Sequence, residues 1–200
     1  MRGDSGEMNP LPASTSWEDV LAGARRGDDD CFAVLWRWLQ PALIGWLRVI
    51  APGVEEEAAA ETWISVTQSL ERFEGDAGTF RSWVFTIARR RAVDAHRVRT
   101  RLPEPTDMNH HETPAPIDDP SIEVTESLAS EEAVRLLRRL PATQGQVVSL
   151  RVVAGLSVAE TARALGKSEG AVRVLCHRGL QHLAGLLDTD SVDADAEVAS

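Results

Sequence analysis

Between residues 140 and 187 a helical apolar pattern stops for one short turn and then resumes, and few folds accommodate so brief an interruption. Val158, Ala162 and Leu165 recur at helical spacing behind Ser157, whose hydroxyl can cap the helix, and Gly166 can end it without a Cβ penalty. Ser168 offers a second N-cap, and Ala171, Val172, Leu175, Leu183 and Leu186 carry the apolar face onward. The turn is too short for anything but a tight crossing, which is the helix-turn-helix arrangement. Glu169, Arg173, His177 and Arg178 lie off the apolar face, at or near the N-terminal half of the second helix. A helix entering a DNA major groove carries its base- and phosphate-contacting side chains there. On this segment alone, an ordinary αα-hairpin with solvated Arg and Glu side chains fits equally well.

The formal net charge of −10 argues against nucleic-acid binding until it is divided along the chain. Residues 81–101 hold seven arginines against Asp94 alone, and residues 131–187 hold eight basic side chains against four acids. Residues 102–130 carry seven acids and no Lys or Arg, and the segment after Leu187 carries five acids and none. Two basic blocks with acidic spacers are the pattern of a nucleic-acid protein. Residues 102–130 also contain five prolines and no apolar period, so they cannot offset their ordering entropy. They are expected to be a flexible acidic linker between two separately mobile domains. Residues 1–16 are read as a disordered extension, and 188–200 as a disordered acidic tail.

The first domain, residues 17–101, is helical by pattern. Phe32, Leu35, Trp36, Leu39, Leu43, Trp46, Leu47 and Ile50 form one amphipathic face after an acidic start at Asp28, with Pro41 inside at the cost of one backbone hydrogen bond. A further helix is predicted from Glu55 to Leu70, with Ala59, Trp63, Val66 and Leu70 inward. After a Gly-Asp-Ala-Gly loop, a third helix begins near Thr79 and stacks Phe80, Trp83, Val84 and Ile87 on one side, with Phe85 and Arg89 projecting away. Aromatic faces among arginines suit single-stranded DNA, although Trp83 near the apolar stripe is better read as core. The fold class is therefore all-α: two small helical domains joined by a flexible acidic linker, the C-terminal one (131–187) a helix-turn-helix.

Other classes find little support. No run approaches the roughly 18 uncharged apolar residues of a membrane span, and the N-terminus lacks an apolar signal core, which points to a cytoplasmic protein. Cys31 and Cys176 stand far apart with no Cys-x-x-Cys spacing, and His110–His111 and Cys176–His177 are better read as a linker pair and a packing pair than as metal ligands. No Gly-rich phosphate loop or Cys/His cluster suggests an enzyme, and no cofactor is expected.

The stretches EEEAAAETWISV (55–66) and FEGDAGTFRSWVFTIARRRAVDAHRVRTR (73–101) resemble the second region of the extracytoplasmic-function sigma factors of bacterial RNA polymerase. LPATQGQVVSLRVVAGLSVAETARALGKSEGAVRVLCHRGLQHL (140–183) resembles their fourth region. Both in this order are highly specific, and the resemblance covers roughly residues 17–187.

That resemblance implies a non-catalytic specificity subunit. Its first domain would dock on the clamp helices of the polymerase largest subunit and read and melt the promoter minus-ten element. Its second would read the minus-thirty-five element and touch the flap, while the acidic linker threads the polymerase cleft. By motif, Glu57, Glu61, Thr62 and Trp63 fall in the clamp-docking helix. Thr79, Phe80, Arg81, Trp83, Arg89, Arg90, Asp94 and Arg97 fall in the melting and minus-ten segment, and Ser168, Glu169, Gly170, Ala171, Arg173, His177 and Arg178 on the recognition helix or its entry. An anti-sigma factor is the implied controlling partner. Glu57-Ala58-Ala59-Ala60 departs from the usual docking pattern and implies a thinner contact surface, and Val174-Leu175 replaces a common Ser-Arg pair. The alternative is a helix-turn-helix regulator acting without polymerase, which leaves the arginine-rich aromatic segment unassigned.

Overall fold

Capping side chains set most of the helix starts among the described residues. The computed structural model describes residues 16–101 and 131–198, with side chains for 16–99 and 131–188. Helix α1 (Trp17–Arg25) opens at Ser16, whose Oγ accepts from the Asp19 N–H. Helix α2 (Asp29–Ile50) opens at Asp28, whose carboxylate accepts from the N–H groups of Asp30 and Cys31, and it runs through Pro41. Helix α3 (Glu55–Ser69) starts with three glutamates at the positive end of its dipole and tightens into a 3-10 turn, Leu70–Arg72. In α4 (Ala77–Arg101) the first turn is capped by Asp76, which accepts from the Thr79 N–H at 2.7 Å. The helix thus begins two residues before the expected start, because Asp76 caps a turn that includes Gly78.

Helices α5 (Glu131–Arg138), α6 (Ala142–Val152), α7 (Val158–Leu165) and α8 (Glu169–Val198) follow, and the described residues contain no strand. At α7 the Ser157 and Glu160 side chains form a reciprocal capping box, and Gly166 ends the helix at φ 63°. Ser168 Oγ then accepts from the Ala171 N–H at 3.2 Å, so the turn between the two helices is as short as its capping residues require. The all-α class and the helix-turn-helix are both present. Helix α8 continues to Val198, past the domain end expected at Leu187, because no Pro or Gly follows Gly185 to stop it. The expected linker, 102–130, and the extension up to residue 15 lie outside the described residues.

The core of the first half joins Leu35, Leu39, Leu43, Trp46 and Leu47 of α2 to Ala58, Ala59 and Val66 of α3 and Phe80, Val84, Phe85 and Ala88 of α4, all of them buried. Phe85 does not project outward as expected. It is 1% exposed and meets Trp46 edge to face, with ring centroids 5.3 Å apart. Trp36 departs in the other direction and is 41% exposed.

The two halves are not separate bodies here. Helix α4 packs on α7, and α2 packs on α5 and α6. One buried cluster runs from Phe80 and Val84 to Val147, Leu150, Leu156, Ala162 and Leu165. Gly45 lies on this seam, where a Cβ would stand 2.8 Å from Val153 Cγ1. Arg138 Nε donates to the Arg48 carbonyl at 2.9 Å across the same seam. The expectation was of separately mobile domains; in this structure complementary apolar surface on both halves packs them together.

Candidate nucleic-acid interface

Helix α8 packs on α5, α6 and α7 through Val172, Leu175, Gly179 and Leu183, which leaves the opposite face open. Ser168, Glu169, Gly170, Arg173, His177 and Arg178 are exposed on or beside that face, while Ala171 is half-buried. Arg173 Nη2 lies 2.7 Å from Glu169 Oε2, one turn back along the helix. This order, acid before base at four residues, suits the helix dipole and holds the guanidinium outward. Val174, marked in the sequence only as a departure from the family pattern, is 49% exposed beside Arg173 and adds an apolar side chain to this face.

The arginine-rich helix carries side chains that tie it to its neighbours and side chains that lie at the surface. Arg91 Nε donates to Ser65 Oγ at 3.0 Å, and Arg99 Nη1 donates to the Gly53 carbonyl at 2.7 Å, tying α4 to α3 and to the preceding turn. Arg89, Arg90, Asp94 and Arg97 are exposed, and Val93 and Val98 lie exposed among them. The aromatic residues of the same segment point inward. Phe80 is fully buried and contacts Trp17 and Phe73, and Trp83 stacks on Phe73 at 4.9 Å. Thr79 is half-buried and gives its N–H to the Asp76 cap. The structure therefore brings Arg89, Arg90 and Arg97, but not the Phe80 ring, to the surface.

Arg81 stands apart. Its side chain is 12% exposed, and its Nη1 lies 3.4 Å from Glu160 Oε1 of α7, itself 9% exposed. Its Nη2 donates to the carbonyls of Ala154 and Gly155 at 3.0 and 2.7 Å. Burial pulls the guanidinium below its ordinary range, and the Glu160 carboxylate pushes it back. Arg163 Nε, also on α7, donates to Ser82 Oγ at 3.2 Å.

On α3, Glu57 and Glu61 are exposed, but Thr62 and Trp63 are buried. Thr62 Oγ1 donates to the Ala58 carbonyl at 2.6 Å, and Trp63 Nε1 donates to Gln40 Oε1 at 2.6 Å while its ring meets Phe32 edge to face. Ala58 and Ala59 are buried as well, so they set the spacing of α3 in the core and do not thin an outer surface. The outer face is Glu57, Ala60, Glu61 and Ile64, the last 49% exposed. Trp36 lies one turn of α2 from both Phe32 and Gln40, the two residues that touch Trp63. The apolar stripe in the sequence contained Trp36, but only the packing shows that the stripe is wider than the core.

The described residues contain no group of three or more side chains suited to holding a metal ion, and no described helix is long and apolar enough to cross a membrane. Cys31 fills the space beside Gly23, where a Cβ would come within 2.3 Å of its sulfur.

Residues 36–102 match the family described as Sigma-70 region 2, and residues 130–183 match Sigma-70, region 4. The chain is 35% identical over 136 residues to the ECF RNA polymerase sigma factor ShbA of Streptomyces griseus, covering 66% of this chain and 71% of that protein. It is 32% identical over 173 residues to the ECF RNA polymerase sigma factor SigD of Mycobacterium tuberculosis, covering 82% and 80%. Against the ECF RNA polymerase sigma factor BldN of Streptomyces coelicolor it is 31% identical over 180 residues and spans 66% of that protein's length. The fold resembles CnrH, solved in complex with the cytosolic domain of CnrY, with a TM-score of 0.61 and 22% identity over 86% of this chain and 96% of that one. It also resembles the sigma factor RpoE of Bartonella quintana, solved with the anti-sigma factor NepR, with a TM-score of 0.58 and 20% identity over 80% of this chain and 98% of that one.

Proposed function

The chain belongs to the ECF sigma factors of RNA polymerase, and from that premise we propose that it is a dissociable, non-catalytic cytoplasmic subunit that directs core polymerase to specific promoters. The observation that carries this reading is the pairing, in one chain, of an open recognition face on α8 with an arginine-rich surface on α4. Arg173, His177 and Val174 read base edges of the minus-thirty-five element, and Arg178 holds phosphate. Arg89, Arg90 and Arg97 take the backbone of the opened minus-ten strand, where cations are needed and sequence tolerance is built in. The face of Glu57, Glu61, Ile64 and Trp36 meets the clamp helices of the largest subunit, and the C-terminal half meets the flap.

An anti-sigma factor is the proposed controlling partner. Two solved proteins of this fold were captured with partners, one of them named as an anti-sigma factor. A partner segment clasped by both halves covers the α3 face and the α8 face together and buries more surface than either half offers alone.

Run-off transcription of fragmented native genomic DNA with core polymerase, with and without the chain, tests the proposal. Discrete transcripts that depend on the chain are expected. DNA binding by the chain without any core-dependent transcript would instead favour the polymerase-independent regulator.

A further inference from the structure

The acceptors gathered on Arg81 all come from the other half of the molecule. A carboxylate oxygen of Glu160 and the carbonyl oxygens of Ala154 and Gly155 surround its two terminal nitrogens, and the Trp38 ring lies 6.0 Å from the guanidinium carbon. An anionic oxygen with two further acceptors on one guanidinium is the arrangement that a DNA phosphate would offer the same side chain. Glu160 is held in place for this. Its Oε2 accepts from the Ser157 N–H at 2.5 Å in the α7 capping box, which leaves Oε1 for Arg81. Arg163, one turn further along α7, reaches Ser82 on the same end of α4. Gly78 and Gly45 permit the approach, since a Cβ at Gly78 would come within 3.0 Å of Glu160 Oε1 and one at Gly45 within 2.8 Å of Val153.

We propose that the loop between α6 and α7, together with Glu160, is an internal competitor for promoter DNA on α4. The closed chain withholds Arg81 from the minus-ten strand while leaving the recognition face of α8 open. The two promoter contacts are therefore not equally available to the free chain: minus-thirty-five contact needs no rearrangement, and full minus-ten contact needs the halves to part. The latch is poised to open. Arg81 Nε is buried without a hydrogen-bond partner, and a buried ion pair balances Coulomb attraction against a desolvation cost of similar size. The 29 residues of 102–130 reach roughly 95 Å when extended, so separation does not strain the chain. This inference rests on the reading of α4 as a DNA surface.

The test uses the full-length chain and a fluorescent random-sequence single-stranded DNA oligonucleotide. Glu160→Gln keeps the cap acceptor but strands the buried Arg81 cation, so the radius of gyration by X-ray scattering should rise and oligonucleotide affinity should increase about tenfold as the competent fraction grows. A second variant closes the seam: Gly45→Cys with Val153→Cys, in a chain carrying Cys31→Ser and Cys176→Ser, juxtaposes two thiols where Gly45 meets Val153. Its oxidised form should bind the oligonucleotide about tenfold more weakly than the same protein reduced. Equal binding by the oxidised and reduced forms would overturn the latch, as would a Glu160→Gln chain that stays compact with unchanged affinity. A Glu160→Gln chain that expands without gaining affinity would overturn the proposal on the other side, by showing that α4 is not the DNA surface.

Discussion

The Trp63 indole donates to Gln40 Oε1 at 2.6 Å, and this bond fastens α3 to α2 and holds the tryptophan in the core. Trp63 is 7% exposed, whereas Ile64 beside it is 49% exposed and Trp36 is 41% exposed. Docking on polymerase should therefore depend on Ile64 and Trp36, with Trp63 acting through the fold. Trp63→Ala is expected to destabilise the chain by about 3–5 kcal/mol in denaturant titration. Ile64→Ala and Trp36→Ala should leave the melting temperature nearly unchanged and weaken core binding by about tenfold each, as central apolar anchors of an interface do. A core titration in which Trp63→Ala alone loses affinity, with its fold intact, would reverse the assignment.

On α8, the 2.7 Å pair of Arg173 and Glu169 predicts a split between specificity and affinity. Arg173→Ala should flatten the preference at particular minus-thirty-five positions by about 1–3 kcal/mol per base pair. Arg178→Ala should lower binding uniformly and make the salt dependence shallower. Glu169→Gln frees Arg173 from its partner and should shift the preferred sequence with little effect on stability, because an exposed pair contributes at most about 1 kcal/mol. A binding selection on a randomised promoter library, repeated across a salt series for the three variants beside their melting temperatures, reads all of these outcomes.

The helix-turn-helix was legible because its signals are local. Ser157, Gly166 and Ser168 each act within a turn of themselves, and each does in the structure what its chemistry suggests. Phe85 was misplaced because a single apolar stripe assumes one buried side. Helix α4 is covered by α2 and α3 on one side and by α7 on another, so its buried arc is wider than a stripe. The closure of the two halves had no local sign at all. It depends on Gly45 meeting Val153 and on Arg81 meeting Glu160, pairs far apart in the chain, and neither residue type announces its partner. Arg81 read alone is a DNA contact; only the fold shows that it is already occupied.

Acid sensitivity should trace to helix caps. The N–H of Cys31, with that of Asp30, holds the Asp28 carboxyl below the ordinary aspartate range, and the Thr79 hydroxyl and N–H do the same for Asp76. Because the folded values are depressed, the stabilisation is fully present above the unfolded value of about 3.9 and fades as pH falls through the folded one. Asp28→Asn keeps a competent cap without a titrating group. Its melting temperature should match the parent's near neutrality within a degree or two, and should fall less steeply below about pH 4. Parallel curves for the two proteins across that range would show that Asp28 is not a source of the acid sensitivity.

Gly170 offers a case where stability and function should move in opposite directions. It lies in the first turn of α8, and a Cβ built there meets nothing within 4 Å, so the packing of the fold has no need of a glycine. Glycine costs a helix about 0.5–1 kcal/mol relative to alanine, and Gly170→Ala should recover about 0.5 kcal/mol of that in thermal or denaturant unfolding. The first turn of a helix, however, presents unpaired N–H groups and the positive end of the dipole, which suit a phosphate oxygen. A bare Cα at that point lets the DNA backbone come to hydrogen-bond distance, and a methyl group would hold it off. Gly170→Ala is therefore expected to be the more stable protein and the weaker binder, losing several-fold affinity for minus-thirty-five duplexes of any sequence, because the contact is to phosphate rather than to a base. Fluorescence anisotropy on matched and mismatched duplexes separates these effects. Unchanged or tighter binding by Gly170→Ala would mean that the DNA backbone does not approach α8 at this turn, and that the phosphate contacts lie further along the helix with Arg178.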